Sequence, residues 1–311
     1  MSEAHQSPFM AWLIFILKTF YALWLILFGT IRALIPWGIL PQKSVKGQTI
    51  LITGAARGFG KSLALRFAKL ETRLALLDIN KDLLDDTAAA CRKIGAEVVT
   101  FQCDVRKREE VKSICQAVLS KFGAIDILIS NAGVVNGKPF LELTEEEIIR
   151  TFDINLLSQF WLIRAVLPSM LERKQGHVVA VASVGGLSGV AKMTDYSSSK
   201  AGVITFMEAL TGELAKMEQN IQTSTICPAY MNTGMFTMSD WWFAPLMNPD
   251  DVAERTVEAI LTNQKFLIVP KQFSLLGGCK GFLPYEATAY IGDALGINDS
   301  TQHFHARPFT A

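Results

Sequence analysis

Thr49-Ile50-Leu51-Ile52-Thr53-Gly54-Ala55-Ala56-Arg57-Gly58-Phe59-Gly60 is the stretch from which the rest of this chain is read. A short apolar run, Thr49–Thr53, passes directly into a turn with three glycines. Beyond it, Leu63, Phe67 and Leu70 fall on one face of a helix. Such a turn needs backbone angles closed to other residues, and a bulky Cβ there would hold a phosphate away from the chain. The helix that follows offers free N–H groups and a partial positive charge to an anion. A glycine triplet alone is a weak signal; with a strand before it and a helix after it, it predicts a diphosphate cradle.

Working outward, six more strand-like runs follow: Arg73–Ile79, Glu97–Val105, Ile125–Asn131, His177–Ser183, Ile221–Cys227 and Lys265–Val269. Helical spacing separates them, as with Val111, Ile114 and Val118. Near-continuous apolar strands alternating with amphipathic helices predict an α/β fold, a doubly wound seven-stranded parallel sheet covered on both faces. Asp78 closes the second strand, eighteen residues after Gly60. A carboxylate at that place accepts the ribose hydroxyls of an adenosine and repels a 2′-phosphate, which favours NAD over NADP. Arg57 is the counter-argument, since a guanidinium in the glycine loop pairs with a 2′-phosphate; NADP stays open as the alternative.

Ser183, Tyr196 and Lys200 form the second constellation. Tyr196 and Lys200 are four residues apart on a predicted helix and share a face. A phenol with a pKa near ~10 is a poor base at neutral pH. A neighbouring ammonium and a positive nicotinamide ring both favour the phenolate. Ser183, at a strand end, is placed to hold a substrate oxygen.

With these residues in view, the sequence closely resembles the short-chain dehydrogenase/reductase family, from about Gln48 to Val269. Thr53-Gly54-x3-Gly58-Phe59-Gly60 matches the family's cofactor motif, Asn131-Ala132-Gly133 its NAG motif, and Cys103-Asp104-Val105 its adenine-contacting segment. Asn155, Ser183, Tyr196 and Lys200 fall on its four catalytic positions. The resemblance implies a Rossmann-type sheet and a division of labour. Tyr196 exchanges the proton with the substrate oxygen, and Ser183 orients that oxygen. Lys200 binds the nicotinamide ribose and lowers the tyrosine pKa, while Asn155 holds a water linking Lys200 to solvent. Thr233 stands where the family contacts the nicotinamide amide. Pro228-Ala229 replaces the usual Pro-Gly, which puts the shape of that loop in question.

The N-terminus is of another kind. From Phe9 to Ile31 the residues are apolar or aromatic except for a few such as Lys18. At ~1.5 Å rise per residue this length crosses a ~30 Å hydrocarbon layer. Lys18 leaves two arrangements open, a spanning helix or one lying in a single leaflet with its ammonium at the headgroups. A signal peptide fits poorly, with no basic residue before the run and no small-residue cleavage site after it. Arg32, Lys43 and Lys46 follow the segment, so the positive-inside bias puts the catalytic domain in the cytosol. The expected organisation is anchor and basic linker at 1–47, a dinucleotide-binding catalytic domain at 48–275, and an extension at 276–311.

The linker, together with Cys227-Pro228-Ala229-Tyr230-Met231-Asn232-Thr233-Gly234-Met235-Phe236, resembles the membrane- and lipid-droplet-associated branch with epidermal retinol dehydrogenase and the type 11 and 13 17β-hydroxysteroid dehydrogenases. That resemblance implies retinoid- or steroid-like alcohols and carbonyls, an endoplasmic reticulum or droplet location, and family-style homodimers. Met235, Phe236, Met238, Trp241, Trp242 and Phe243 suit an apolar ligand, a packed interface or a membrane contact equally. Phe273–Ile297 is likewise a second membrane-touching element, a substrate lip or a packed helix.

Half of the 311 residues are hydrophobic and the net charge is +1, so nothing suggests nucleic acid. The five cysteines are scattered and form no CxxC pair, which predicts reduced thiols and neither disulfides nor zinc. The four histidines have no neighbours at metal-ligand spacing, so no metal is expected; His303 and His305 are expected in solvent. A rival reading keeps the fold as a droplet or membrane scaffold with incidental chemistry.

Overall fold

A computed structural model describes residues 8–34, 38–217, 219–234, 236–237, 243, 245–297 and 305–306. The chain divides into two units, Met1–Gln42 and Lys43–Ala311.

In the first unit, α1 (Pro8–Leu34) is a 27-residue helix. Its stretch Phe9–Ile31 has mean hydropathy 2.0, and none of it is buried. The Thr19 and Thr30 hydroxyls donate to the carbonyls of Phe15 and Ile26 at 2.9 and 2.8 Å. These bonds satisfy the two threonine hydroxyls within the helix itself.

The second unit holds seven parallel strands: β1 (Thr49–Thr53), β2 (Arg73–Asp78), β3 (Glu97–Gln102), β4 (Ile127–Ser130), β5 (Gln175–Val181), β6 (Asn220–Pro228) and β7 (Phe266–Val269). Their order across the sheet is β3-β2-β1-β4-β5-β6-β7. All seven sequence-predicted runs are present. Four of them, however, leave the ladder one to three residues early at their carboxyl ends, because the last residues turn out to line a crevice. Alternation along each strand separates two cores. Ile50, Ile52, Leu74 and Leu76 meet α2 (Gly58–Ala68), α3 (Lys81–Ile94) and α8 (Pro249–Leu261) on one face. Leu51, Ala75, Leu77 and Leu128 meet α4 (Arg108–Phe122), α6 (Ser158–Glu172) and α7 (Thr194–Lys216) on the other.

Local chemistry starts and stops these helices. Asn80 caps α3 by accepting from Leu83 N, and Gly95, at φ 105°, ends it in the left-handed conformation. Thr144 and Glu147 form a capping box on α5 (Glu145–Phe152). A π-helical turn, Asp153–Leu157, joins α5 to α6. The combined helix is apolar enough to pass a length test for a membrane span, but 44% of it is buried. It is a core element.

At the amino-terminal edge of the sheet, Lys43 Nζ lies 2.8 Å from His177 Nδ1, and His177 Nε2 lies 2.9 Å from Ser224 Oγ. Ser224 donates its proton to Gln264 O at 2.5 Å. The serine must therefore accept from Nε2–H, which leaves Nδ1 to accept from the lysine. Burial, then the Lys43 charge, hold His177 well below its ordinary 6.5, and burial pushes Lys43 down to about 8. The imidazole is thus neutral in the folded protein, and below pH 6.5 protons bind the unfolded chain preferentially. Stability is retained above pH 6.5 and falls with pH beneath it. His177→Leu is expected to cost about 1–3 kcal/mol by leaving Lys43 without its imidazole acceptor, and to flatten the loss of stability between about pH 7 and 5. Chemical denaturation in detergent across that range measures both.

Candidate active site

The carboxyl ends of β1 and β4 are neighbours whose chain connections run in opposite directions across the sheet, so a crevice opens between them. Its floor is the glycine turn. Gly54 and Gly58 have φ +66° and +54°, and a Cβ on Gly60 would sit 2.0 Å from Gly54 O. Any side chain at Gly60 would break the turn. Arg57 precedes α2 without a side-chain cap, so the first N–H groups of that helix are left for a ligand. Gly58 packs on Thr233, 2.9 Å from where its Cβ would be.

Asn131 fixes this turn. Its Nδ2 donates to Thr53 O at 2.9 Å and to Gly54 O at 3.2 Å. Thr53 corrects the sequence expectation of a cofactor contact. It is fully buried, and its Oγ1 accepts from Asn131 N and Ala132 N at 3.0 and 3.1 Å, so it joins β1 to β4 without reaching the crevice.

A cavity of about 550 Å³ starts at Gly54, Arg57, Gly58, Phe59 and Gly60, and also takes in Asp78, Asp104 and Val105. Asp78 accepts from Ala56 N and Asn80 N, both at 3.0 Å, which aims the carboxylate beside the glycine turn. Asp104 is clasped by Arg106 at 2.7 Å, and that hydrogen bond, first among the causes, lowers its pKa. The sequence reading missed Arg106, because a surface arginine two residues away carries no motif.

Past Ala132 and Gly133 the same cavity reaches Ser183, Tyr196 and Lys200. Ser183 lies beyond β5, where its Oγ accepts from Gly185 N at 3.1 Å and donates to Pro228 O at 3.4 Å. Lys200 Nζ donates to Val181 O at 2.8 Å and stands 5.9 Å from the Tyr196 ring centre. Asn155 occupies the π-helical turn. Its Oδ1 accepts from Val134 N at 2.8 Å, while Nδ2 donates to Val134 O and Ser199 Oγ. A Cβ on Gly133 would come 3.3 Å from Asn155 Oδ1 and 3.5 Å from Lys200 Nζ. Asn155 and Lys200 thus meet at Gly133, while Ser183 Oγ and Tyr196 Cε1 meet at Gly185, 3.4 and 3.5 Å from where its Cβ would be.

One electrostatic expectation is corrected. Burial outweighs other influences and pushes Tyr196 up to about 12, with the Ser183 hydrogen bond pulling the other way. Burial also pushes Lys200 down to about 8. Within the protein alone the tyrosine is a neutral phenol, and no lysine effect lowers it. Cys227, read from sequence only as a reduced thiol, lies against this group and is pushed up to about 12 by burial, so it is no nucleophile.

The far end of the cavity is apolar: Val135, Val190, Met193, Tyr230 and Phe273 form a cluster around Tyr196. Phe243 stacks edge-on against Phe273 at 5.4 Å. Met235, Met238, Trp241, Trp242 and His303 lie outside the described residues, as do the side chains of Phe236 and His305. The sequence also gave no sign of a polar support behind Tyr196. Buried Asp195 accepts from Asn136 Nδ2 at 2.7 Å and Thr151 Oγ1 at 2.8 Å, which ties α7 to α5.

Comparison with known proteins agrees with this geometry. The family described as short chain dehydrogenase matches residues 48–242. The chain belongs to that family. It is 40% identical to 17-beta-hydroxysteroid dehydrogenase 13 of Rattus norvegicus, covering 84% of this chain and 87% of the relative. It is 37% identical to epidermal retinol dehydrogenase 2 of Mus musculus, covering 85% and 87%. A short chain dehydrogenase/reductase from Burkholderia phymatum in complex with NAD superposes with TM-score 0.71 at 24% identity, covering 86% of this chain and 99% of that one. A metagenomic short-chain oxidoreductase in complex with NADP has TM-score 0.62 at 27% identity, covering 73% and 97%. The short chain dehydrogenase is thus an NAD(P)-dependent oxidoreductase. An uncapped helix start over a glycine turn fits its diphosphate, and Asp78 lines the same cavity.

Asp78→Ala is expected to shift the ratio of NAD to NADP affinity toward NADP by about tenfold or more, because a carboxylate next to a 2′-phosphate is repulsive. Calorimetric titration with each cofactor reads the ratio; equal weakening of both would mean that the residue only supports the Ala56 turn.

Proposed function

We propose that this dehydrogenase interconverts a lipophilic alcohol and its carbonyl compound at a membrane or droplet surface, with Tyr196 as the proton-exchanging group. One observation carries the reading: Ser183, Tyr196 and Lys200 line the same cavity as the glycine turn, and Tyr196 sits there inside an apolar cluster. When bound, the nicotinamide supplies the hydride acceptor or donor and, oxidised, a positive charge.

The chain's own residues do the rest. Ser183 Oγ orients the substrate oxygen. In the reductive direction Tyr196 gives its proton to that oxygen, for which a phenol held at about 12 is ready at neutral pH. In the oxidative direction the phenolate takes the proton back, and a nearby positive charge favours that form. Lys200 would hold the nicotinamide ribose, and Asn155 fixes the π-helical turn beside it. The apolar wall of Val135, Val190, Met193 and Phe273 favours a retinoid- or steroid-like body over a sugar, and the polar residues that line the same cavity, Lys138 with Glu147 and Arg150 with Asn136, are bonded to one another. The names of the relatives, steroid and retinol dehydrogenases, support the same class. NAD is preferred over NADP through Asp78, and pairing of subunits follows the family habit.

Tyr196→Phe is expected to lower kcat by at least about a hundredfold while the Kd for NAD stays within about twofold. In the unaltered enzyme the oxidative rate rises with pH and the reductive rate falls, following a tyrosine pKa that burial raises. NADH formation from retinol or a 17β-hydroxysteroid, followed against pH, checks both. An unchanged kcat in the variant would overturn the role given to Tyr196, whereas lost turnover with every cellular phenotype unchanged would favour the scaffold reading.

The wholly exposed apolar α1 supports membrane attachment, with the second unit on the cytosolic side of an endoplasmic reticulum or droplet surface. Deletion of residues 1–31 is expected to move the protein from the membrane pellet to the soluble fraction. Retention in the pellet after alkaline washing would assign the anchoring to another segment.

A further inference from the structure

Consecutive helical residues point about 100° apart. At the start of α7 this turns Tyr196 into the cavity and leaves Asp195 behind it, 5% exposed. The Asp195 carboxylate is used unevenly. Oδ2 accepts from Asn136 Nδ2 at 2.7 Å and from Thr151 Oγ1 at 2.8 Å, while Oδ1 is buried with no hydrogen-bond partner among the described residues. Half of a strongly polar group is thus held out of water, which costs stability.

Nor do its two donors depend on it. Asn136 Nδ2 also lies 2.9 Å from Thr151 Oγ1, and Thr151 Oγ1 lies 2.9 Å from Glu147 O. Both would still find acceptors if Asp195 were apolar. Stability is therefore a poor account of this carboxylate. What it does is reach across. Thr151 belongs to α5, and Asn136 to the loop after β4, where Val134, Val135 and Asn136 line the cavity. Val135 is also part of the cluster around Tyr196. Asn155 grips both backbone polar groups of Val134. The cavity wall is thus pinned at Val134 to the π-helical turn, and at Asn136 to the residue before Tyr196.

We propose that Asp195 is a positioning residue for the proton exchange. By gripping Asn136 and Thr151 it sets the first turn of α7 against the cavity wall, so that the Tyr196 hydroxyl meets the substrate oxygen. This rests on the chemistry assigned above to Tyr196 and adds the residue that sets the phenol in place. An accepting oxygen suffices for the role, and a negative charge is not required. Misplacing a reacting group by about 1 Å costs on the order of a hundredfold in rate.

The test uses the full-length protein in detergent micelles with NAD and retinol or a 17β-hydroxysteroid. Asp195→Leu is expected to lower kcat by about tenfold to a hundredfold, with KM and the Kd for NAD within about threefold. Its melting temperature is expected to be no lower than that of the unaltered protein. Asp195→Asn keeps an oxygen facing the two donors and is expected to restore kcat to within about threefold. A kcat unchanged by leucine, a loss that asparagine does not restore, or a loss that comes only with a fall in melting temperature overturns the proposal. If Asp195→Leu fails to fold, the nearly isosteric Thr151→Val takes its place. It removes one of the two bonds, and an unchanged kcat there is equally fatal.

The ring is also observed without turnover. In protein labelled with 3-fluorotyrosine, the Tyr196 fluorine resonance is the one lost in Tyr196→Phe. With NAD bound, it is expected to shift in Asp195→Leu and to stay in place in Asp195→Asn. Absence of turnover in the unaltered protein would count against the Tyr196 chemistry alone. A Tyr196 resonance unmoved by Asp195→Leu overturns the role given to Asp195.

Discussion

The hydrogen bonds from Asn131 Nδ2 to the carbonyls of Thr53 and Gly54 hold together the place on which everything else depends. They join the carboxyl ends of β1 and β4, the two strands from which the chain departs toward opposite edges of the sheet. Neither strand end is covered by a crossover helix, so the sheet opens there by topology. The bonds keep that opening narrow and present the uncapped start of α2 to it. Remove them and the glycine turn, already confined by the 2.0 Å clearance at Gly60, has nothing to lean on.

Desolvation then sets the chemistry. Tyr196 and Lys200 are buried on one face of α7, and burial drives both toward neutrality, the tyrosine upward and the lysine downward. At neutral pH the lysine, at about 8, stays mostly charged and the tyrosine, at about 12, stays protonated. The apolar cluster around Tyr196 and the hydrogen bonds to Asp195 from behind it hold the ring in place.

The same apolar cluster is both core and pocket wall. Val190 packs against Tyr196 and also lines the cavity, so a change there alters stability and ligand shape together. Asn155 shows the same economy. It sits in a π-helical turn, where an extra residue in the helix turns its amide toward Val134 and Gly133. An ordinary α-helical turn would carry that amide past the site.

Alternating apolar runs and the glycine spacing sufficed for the seven strands, the α/β class and the turn at Gly54, Gly58 and Gly60, because strand burial and a tight phosphate turn are local demands on residue type; Ser183, Tyr196 and Lys200 were singled out by their spacing and the family resemblance. The exposed apolar α1 was legible for the same reason, since twenty-three consecutive helical residues, Phe9–Ile31, carry their hydropathy in order. Only the tertiary structure showed that Thr53 is a strut and not a ligand contact, that Arg106 clasps Asp104, and that burial reverses the expected tyrosine shift. It alone placed Asn136 and Thr151 against Asp195. Each of these depends on what distant segments bring to within a few ångströms, and the order of residues along a chain does not encode distance.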